Sequence, residues 1–572
     1  MARPAAAQHS GILKASGKNI VDGGGHPVLL RGMGLGGWML QEPYMFRLSG
    51  IGPQYRIRQR IAELVGEQQA SKFYDNWLKD HTTKADIDSL AAWGFNSVRL
   101  PMHYALYTLP AEAEPVAGQN TWLPKGFELT DSLLAWCKAD GLYLLLDLHA
   151  APGGQGNDLN ISDRDPAKPS LWQSAACREK TVALWRKLAE RYAGDPAIGG
   201  YDILNEPNWG FEDPKDTRGT RETGNQPLRQ LLMEITAAIR SVDPSHLIII
   251  EGNGFGNNYN GIFPLWDGNM AVSFHKYGNF NTAASIQKFL DLRDKYVVPL
   301  WLGESGENSN TWFTEAIGLA ESNNIGWCWW QEKKMGVNNP LEIRPAPSFS
   351  LLTDYWLHNG RRPSDLEARA ALEDWLDAVR IGQNVYHRDV TDAMFRQVAS
   401  VETLPFERHV VRSGVRVRAV DYDLGRSGSA YHDNDSARYQ YASPSSPSAG
   451  NRGWRYRNDG VDIEGADSGY HVFNIDDGEW LQYTVDVAEP GTYTVSFVMA
   501  AGGDSCAFSL LCDGVPVANR VRVGGTGGRN GWRSVEVKGV RLAKGECRLR
   551  VLAYKGGFTF SRMEFRRDRR KV

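Results

Sequence analysis

Gly200-Tyr201-Asp202-Ile203-Leu204-Asn205-Glu206-Pro207 is largely apolar and then stops abruptly at two polar residues and a proline. A run that is continuous in hydrophobicity, rather than alternating, fits a strand covered on both faces, as in a parallel sheet. Seven further segments have the same form: 27–32, 97–101, 142–148, 247–251, 271–275, 300–303 and 325–330. Between them lie stretches with apolar residues at spacings of three and four, such as 84–93, 130–140, 179–192 and 227–242. Strand-helix units repeated from about residue 11 to residue 336 predict an α/β fold, and eight of them predict a closed (β/α)8 or TIM barrel. The runs end in Arg99, His149, Asn205-Glu206, Glu251, His275, Glu304 and Gln331. In a barrel those ends converge on the one face that carries active sites.

Beyond the eighth run the texture changes. Pro363-Ser364-Asp365-Leu366-Glu367 reads as a helix N-terminus, and Leu366, Leu372, Trp375, Leu376 and Val379 form a stripe for a helix to about Ile381 on the barrel exterior. After about Val415 helical spacing gives way to short alternating segments with Gly, Asn, Asp and Ser turns, including 479–487, 491–499, 507–511, 533–537 and 547–552. The division expected is therefore a barrel with a helical extension over 11–400 and an all-β jelly-roll or β-sandwich domain over 415–567. The short linker, poor in Pro and Ser, predicts docked domains.

A chain of 572 residues is too long for a single core. Its 64 Lys+Arg against 67 Asp+Glu give a formal charge of −3, so no global field draws it to nucleic acid or anionic lipid, and a neutral partner is expected. No apolar run approaches the length of a membrane span, and residues 1–10 lack the basic start and apolar core of a signal peptide. The start at Ala5-Ala6-Ala7 suits the mature end of a secreted, periplasmic or cell-surface protein as well as an ordinary terminus. Cys137, Cys177, Cys328, Cys506, Cys512 and Cys547 show no metal-binding spacing, and two of the last three are candidates for one disulfide.

Two of the strand ends carry carboxylates of particular interest, Glu206 and, in Leu300-Trp301-Leu302-Gly303-Glu304-Ser305, Glu304. On a barrel rim two such groups can face each other across a sugar, one as acid/base and one as nucleophile. Either alone reads equally well as a cap or an ion-pair residue; Asn205 beside the first favours the catalytic reading.

Asn205-Glu206-Pro207 after the fourth strand and Gly303-Glu304-Ser305 after the seventh resemble the signatures of glycoside hydrolase family 5, the cellulase family. The resemblance implies Glu206 as acid/base and Glu304 as nucleophile. It also implies substrate-binding roles for Arg99 in Val98-Arg99-Leu100-Pro101, His149 in Asp147-Leu148-His149, Asn205, and His275 and Tyr277 in Ser273-Phe274-His275-Lys276-Tyr277. Trp330 in Gly326-Trp327-Cys328-Trp329-Trp330 is implied as the floor of the sugar site, with Trp329 adjacent and easily mistaken for it. Arg99 also reads as a structural ion pair with Asp147, and His149 as a core histidine.

Leu35-Gly36-Gly37-Trp38 with Glu42-Pro43, and Asp147 to Gln155, resemble the exo-β-1,3-glucanases within that family. That likeness makes Glu42 a candidate ligand of the terminal sugar, although Gly34 stands where the motif has asparagine. The β domain resembles carbohydrate-binding module family 6, through Ala419 to Asp423, Asp477-Gly478-Glu479-Trp480-Leu481-Gln482-Tyr483 and Thr526-Gly527-Gly528. Tyr456, Tyr470 and Trp532 are its candidate glycan-stacking aromatics, each readable as packing instead. Arg529 stands where an aromatic is common, and Arg418 and Val420 stand where glutamates of a structural calcium site are expected, which leaves structural calcium in this domain open.

The sequence thus predicts a monomeric retaining β-glucan hydrolase with β-1,3 linkage favoured, an endo-β-1,4-glucanase or other family 5 glycanase as the alternative, and no cofactor or catalytic metal. An inactive carbohydrate-binding protein is the non-enzyme alternative. A dehydrogenase is excluded, because Gly32, Gly34, Gly36 and Gly37 lack the dinucleotide spacing.

Overall fold

The computed structural model describes residues 9–434, 455–466, 469–503 and 505–568. Eight parallel strands close into a barrel. In chain order they are Arg31–Gly34, Ser97–His103, Tyr143–Ala150, Ile198–Asp202, Ile248–Ile250, Met270–Lys276, Leu300–Gly306 and Gly326–Trp330. Closure comes from the eighth strand pairing with the first, Trp327 opposite Arg31.

The first strand begins four residues later, and ends two residues later, than its apolar run at 27–32 suggested. That run serves another purpose: Leu30 packs with Leu145, Ile249, Trp301 and Cys328 in an apolar plug at the base of the barrel. The hairpin Lys14–Ser16/Asn19–Val21 covers it, and the Val28 amide donates to Ile20 O.

Helices Lys84–Trp93, Pro124–Asp140, Ala175–Tyr192, Gln226–Arg240, Ala283–Tyr296 and Asn310–Ser322 sheathe the strands over one continuous core. The fifth crossover lacks a full helix and has only a turn at Asn253–Gly256. Two added helices, Gln54–Val65 and Glu67–Asp80, pack with Asp365–Ala378 around Phe73, Trp77 and Trp375. The Ser364/Glu367 capping box starts that last helix, which ends at Ala378 rather than Ile381. Leu366 does not join its apolar stripe; in the first turn, it is 79% exposed.

The β domain is a sandwich of two sheets over one apolar core. One sheet runs His409–Val411, Trp480–Val487, Gly545–Lys555, Cys506–Cys512 and Val515–Val523; the other runs Ile463–Ala466, Gly469–Ile475, Phe558–Arg567, Gly491–Ala501 and Arg533–Leu542. It takes in His409–Val411, ahead of the expected start at 415. Cys512 and Cys547 stand with their Sγ atoms 2.6 Å apart on neighbouring strands, whereas Cys506 faces Gly503 O. No helix among the described residues is long and apolar enough to cross a membrane.

Candidate active site

Above its apolar base the barrel interior is ionic, and Arg99 stands at its centre with no exposed side-chain surface. Its guanidinium donates to Asp202 Oδ2 at 2.7 and 2.9 Å, to Asn205 Oδ1 at 2.8 Å and to Glu304 Oε1 at 2.5 Å. Glu251 Oε1 and Asp147 Oδ2 lie 3.1 and 3.2 Å away. Arg99 therefore makes the ion pair with Asp147 that one sequence reading expected, and it bonds Glu304 as well. A single arginine among four carboxylates is workable only because further cations sit close by, since an unpaired buried charge is costly.

His275 and His149 supply them. His275 Nδ1 is 2.6 Å from Glu206 Oε1 and 3.5 Å from Glu304 Oε2, while its Nε2 is 3.1 Å from Glu251 Oε1. Burial opposes charging this imidazole, yet Glu251, Glu304 and Glu206 hold its pKa well above the ordinary histidine value. His149 Nδ1 is 2.7 Å from Asp147 Oδ2, and its Nε2 is 3.8 Å from Glu42 Oε1. Against the same burial, its carboxylate neighbours push its pKa up to about 10.

The two glutamates face different surroundings. Glu206 is raised above 4.5, first by burial and then by the charges of Glu304 and Glu251, with His275 pulling the other way. Burial also works on Glu304, but His275, Arg99 and His149 outweigh it and hold Glu304 below 4.5. Tyr277 adds a hydroxyl that donates to Glu304 Oε2 at 3.1 Å. Glu206, His275 and Glu304 each bring an oxygen or nitrogen within 4.8 Å of the others. Within that trio Glu304 is already taken by the Arg99 guanidinium.

His149, Glu206, His275, Tyr277 and Glu304 line a pocket of about 380 Å³, with Arg99 beneath Glu304. Trp330 forms its floor, stacked on His149 with ring centroids 5.1 Å apart and planes 7° from parallel. Its indole N–H donates to the Tyr44 hydroxyl at 2.9 Å. Trp329 is instead part of the core, edge-on to Phe313 and Trp327. Gly34 is explained by the same ring: a Cβ there would lie 2.6 Å from Trp330 Cε3, so an asparagine would displace the floor. Glu42 reaches the pocket wall and is buried, which pushes its pKa up to about 7 despite His149. All the expected site residues, Glu42, Arg99, His149, Asn205, Glu206, His275, Tyr277, Glu304 and Trp330, are thus brought together.

Four groups that sequence reasoning left unassigned belong with them. Asp202 and Glu251 anchor Arg99 and His275; a lone acid inside or just after an apolar strand was the available signal. Tyr44, on the short 3-10 helix Pro43–Phe46, and Glu307, in an irregular loop, carried none. Phe255, with φ +61°, forms the wall shared with a second groove of about 670 Å³ lined by Arg56, Asn157, Asn160 and Arg218.

In the β domain Tyr456 is used for packing: its hydroxyl donates to Asp421 Oδ1 at 2.5 Å, and its ring lies against Tyr470 and Phe406. Trp532 sits edge-on to His471. Arg418 pairs with Asp421 at 2.8 Å, so a guanidinium fills the expected calcium position and the donor set there does not fit that ion.

The family model described as cellulase (glycosyl hydrolase family 5) matches residues 61–336, and that of the carbohydrate binding module (family 6) matches 455–566. Among curated relatives, a beta-xylosidase of Phanerodontia chrysosporium is 28% identical over 60% of this chain and 75% of its own length. A probable glucan 1,3-beta-glucosidase A of Aspergillus niger is 29% identical over 44% of this chain and 56% of its own. Endoglucanase C of Acetivibrio thermocellus is 28% identical over 36% and 54%. The chain therefore spans about half the length of the latter two.

Proposed function

We propose that this chain, a glycoside hydrolase whose barrel is a glycosyl hydrolase family 5 domain and whose sandwich is a family 6 carbohydrate-binding module, cleaves β-glucosidic bonds with retention of configuration. The observation that carries this reading is that one carboxylate oxygen of Glu206 lies within 4.8 Å of one of Glu304, together with the opposed pKa shifts of the two groups. Retention needs carboxyl groups about 5–5.5 Å apart, whereas inversion leaves about 6.5–9.5 Å for a water molecule.

Glu304, ionised, attacks the anomeric carbon while Glu206 gives its proton to the departing glycosidic oxygen; the C–O bond to the leaving sugar breaks and a glycosyl ester forms on Glu304. Glu206, now a carboxylate, takes a proton from water as the water oxygen attacks the same carbon, releasing Glu304 and restoring the acid. Arg99 and Tyr277 keep Glu304 charged and aimed. Asn205, beside the acid, is placed to bond the sugar 2-hydroxyl, a contact that strengthens towards the transition state. Trp330 offers a flat apolar face to the ring. No step calls for a metal or cofactor.

The favoured substrate is a β-1,3-glucan. The exo-glucanase likeness of the Glu42 and His149 segments supports this, as does the name of the Aspergillus relative. The groove beyond Phe255 has room for the leaving part of an oligosaccharide. A polymer of this kind does not cross membranes, so on the same reading the protein acts outside the cytoplasm. The test is a product-resolved digest of laminarin-type, cellulose-type, mixed-linkage, xylan and mannan substrates, with and without chelator. Glucose from the β-1,3 substrate, unaffected by chelation and abolished in Glu304→Ala, is expected. A ladder from β-1,4 chains would make it an endo-glucanase, xylose release would follow the Phanerodontia relative's name, and turnover surviving Glu304→Ala would overturn the site.

A further inference from the structure

At the end of the seventh strand, Ser305-Gly306-Glu307-Asn308-Ser309-Asn310 leads from Glu304 into the helix Asn310–Ser322. One part of this segment belongs to the catalytic pocket: Glu307, at φ +52°, lines it and accepts from Lys334 Nζ at 2.6 Å. The other part, Asn308 to Asn310, is buried and bonded to the β domain. The Asn310 amide donates to Asn458 O at 2.9 Å, and Asn458 Nδ2 donates to Asn308 O at 2.8 Å. Asn310 Nδ2 reaches Asp459 Oδ1 at 3.0 Å and Asp389 Oδ2 at 2.7 Å, and the latter also accepts from the Asn458 amide at 2.8 Å. Three regions of the chain meet in this one knot: the loop beside Glu304, the helix Arg388–Met394 and the sandwich.

The sandwich side is itself rigid. Arg457 lies 3.7 Å over the Tyr422 ring, pairs with Asp459 at 2.7 Å and is fully buried. Buried main-chain groups require partners, and here the partners of a loop four residues from the candidate nucleophile come from the other domain. A non-glycine residue in the left-handed region, such as Glu307, persists only where its flanks are held. Lys334 holds one side and the knot holds the other.

We propose that the β domain is a positioning element of the catalytic pocket: residues 457–459 fix the loop 305–310, and through it Glu307, so that the domain governs turnover of small soluble substrates apart from any glycan it binds. Asn458 and Asp389 are positioning residues, since they reach the sugar only through Glu307. The proposal rests on the glycosidase reading for its activity readout alone.

The test uses the full chain and its Asn458→Ala variant, with an aryl β-glucoside as substrate and amide hydrogen exchange over 305–310 as a second readout. Exchange in that segment is expected to quicken by about ten-fold or more, because local opening becomes easier. KM is expected to rise about ten-fold with a smaller change in kcat, as a pocket wall loses its place. Glu307→Gln should give a similar KM, and adding Asn458→Ala to it should cost little more, because both act through one contact. Where Asn458→Ala does not fold, Asp389→Asn carries the same expectations. Unchanged exchange, a lowered melting temperature with unchanged KM, or full additivity with Glu307→Gln would each overturn the proposal. If the wild type turns over no aryl glucoside, the glycosidase reading fails, and the exchange comparison still decides for or against the brace.

Discussion

Glu206 has a backbone φ of +42°, a conformation that costs a non-glycine residue on the order of 1–3 kcal/mol. Its neighbours hold it there: the amide donates to Glu251 Oε2 at 2.8 Å, and Asn208 Nδ2 donates to its carbonyl at 2.9 Å. Glu251 thus fixes the backbone of one glutamate while charging His275, which faces both. The result is a raised Glu206 and a lowered Glu304, and the sign of the pH dependence follows. The proposed mechanism needs Glu304 ionised and Glu206 protonated, so on that reading kcat/KM should climb through a pKa below 4.5 and fall through one above it. In Glu206→Gln the alkaline limb should vanish. Turnover of a polysaccharide should drop by roughly 10²–10⁴-fold, and that of a dinitrophenyl glycoside, whose leaving group needs no proton, far less. A pH–rate profile with both substrates checks this; an alkaline limb that persists would remove Glu206 from the acid role. The two glutamates were readable in the sequence because each ends an apolar run. Glu251 ended one too, but nothing in a linear pattern says that one of its oxygens goes to an amide and the other to a guanidinium and an imidazole.

At the scale of elements, continuous apolar runs marked the barrel strands well because these strands are covered on both sides. The misplacement at 27–32 has a physical cause: burial under the barrel produces the same apolar signal as burial in its wall. Val515–Val523 was hard to see for the opposite reason, since most of that strand is exposed. The extension of the eighth strand hides a further feature. Glu332 is buried beside Lys333 and Asp86, and Lys333 Nζ donates to Asp86 and, at 2.7 Å, to His81 O. With the lysine committed to Asp86, burial pushes Glu332 up to about 8. Because this folded value exceeds that of an unfolded glutamate, the group's stabilising contribution is complete below about pH 4.3 and is lost as pH rises towards 8. Glu332→Gln, which keeps shape but cannot ionise, should flatten the dependence of stability on pH across that window and be the more stable protein at its upper end. Denaturant unfolding at several pH values measures it, and parallel curves for the two proteins would show that Glu332 ionises freely in the fold.

For the whole molecule, charge and architecture point to the same kind of partner. A formal charge of −3 spread over 572 residues gives little long-range field, and the charges that are concentrated in the barrel are paired with one another. Docking of the domains was legible in the short linker, but its mechanism was not, because Asn310, Asp389 and Asn458 look like ordinary loop polar residues until folding buries them together. A neutral glycan arriving at such a protein is not steered, so its encounter rate should be insensitive to salt. A uronate-bearing glycan would differ, since Arg56 and Arg218 line the groove on the far side of Phe255. Between about 0.05 and 0.5 M salt, kcat/KM on the neutral glucan is expected to change by less than about two-fold, the Debye length meanwhile shrinking from above to well below 10 Å. A steep fall over that range, measured at constant pH with initial rates, would mean that the groove arginines recruit an anionic substrate and that the neutral β-glucan is not the preferred one.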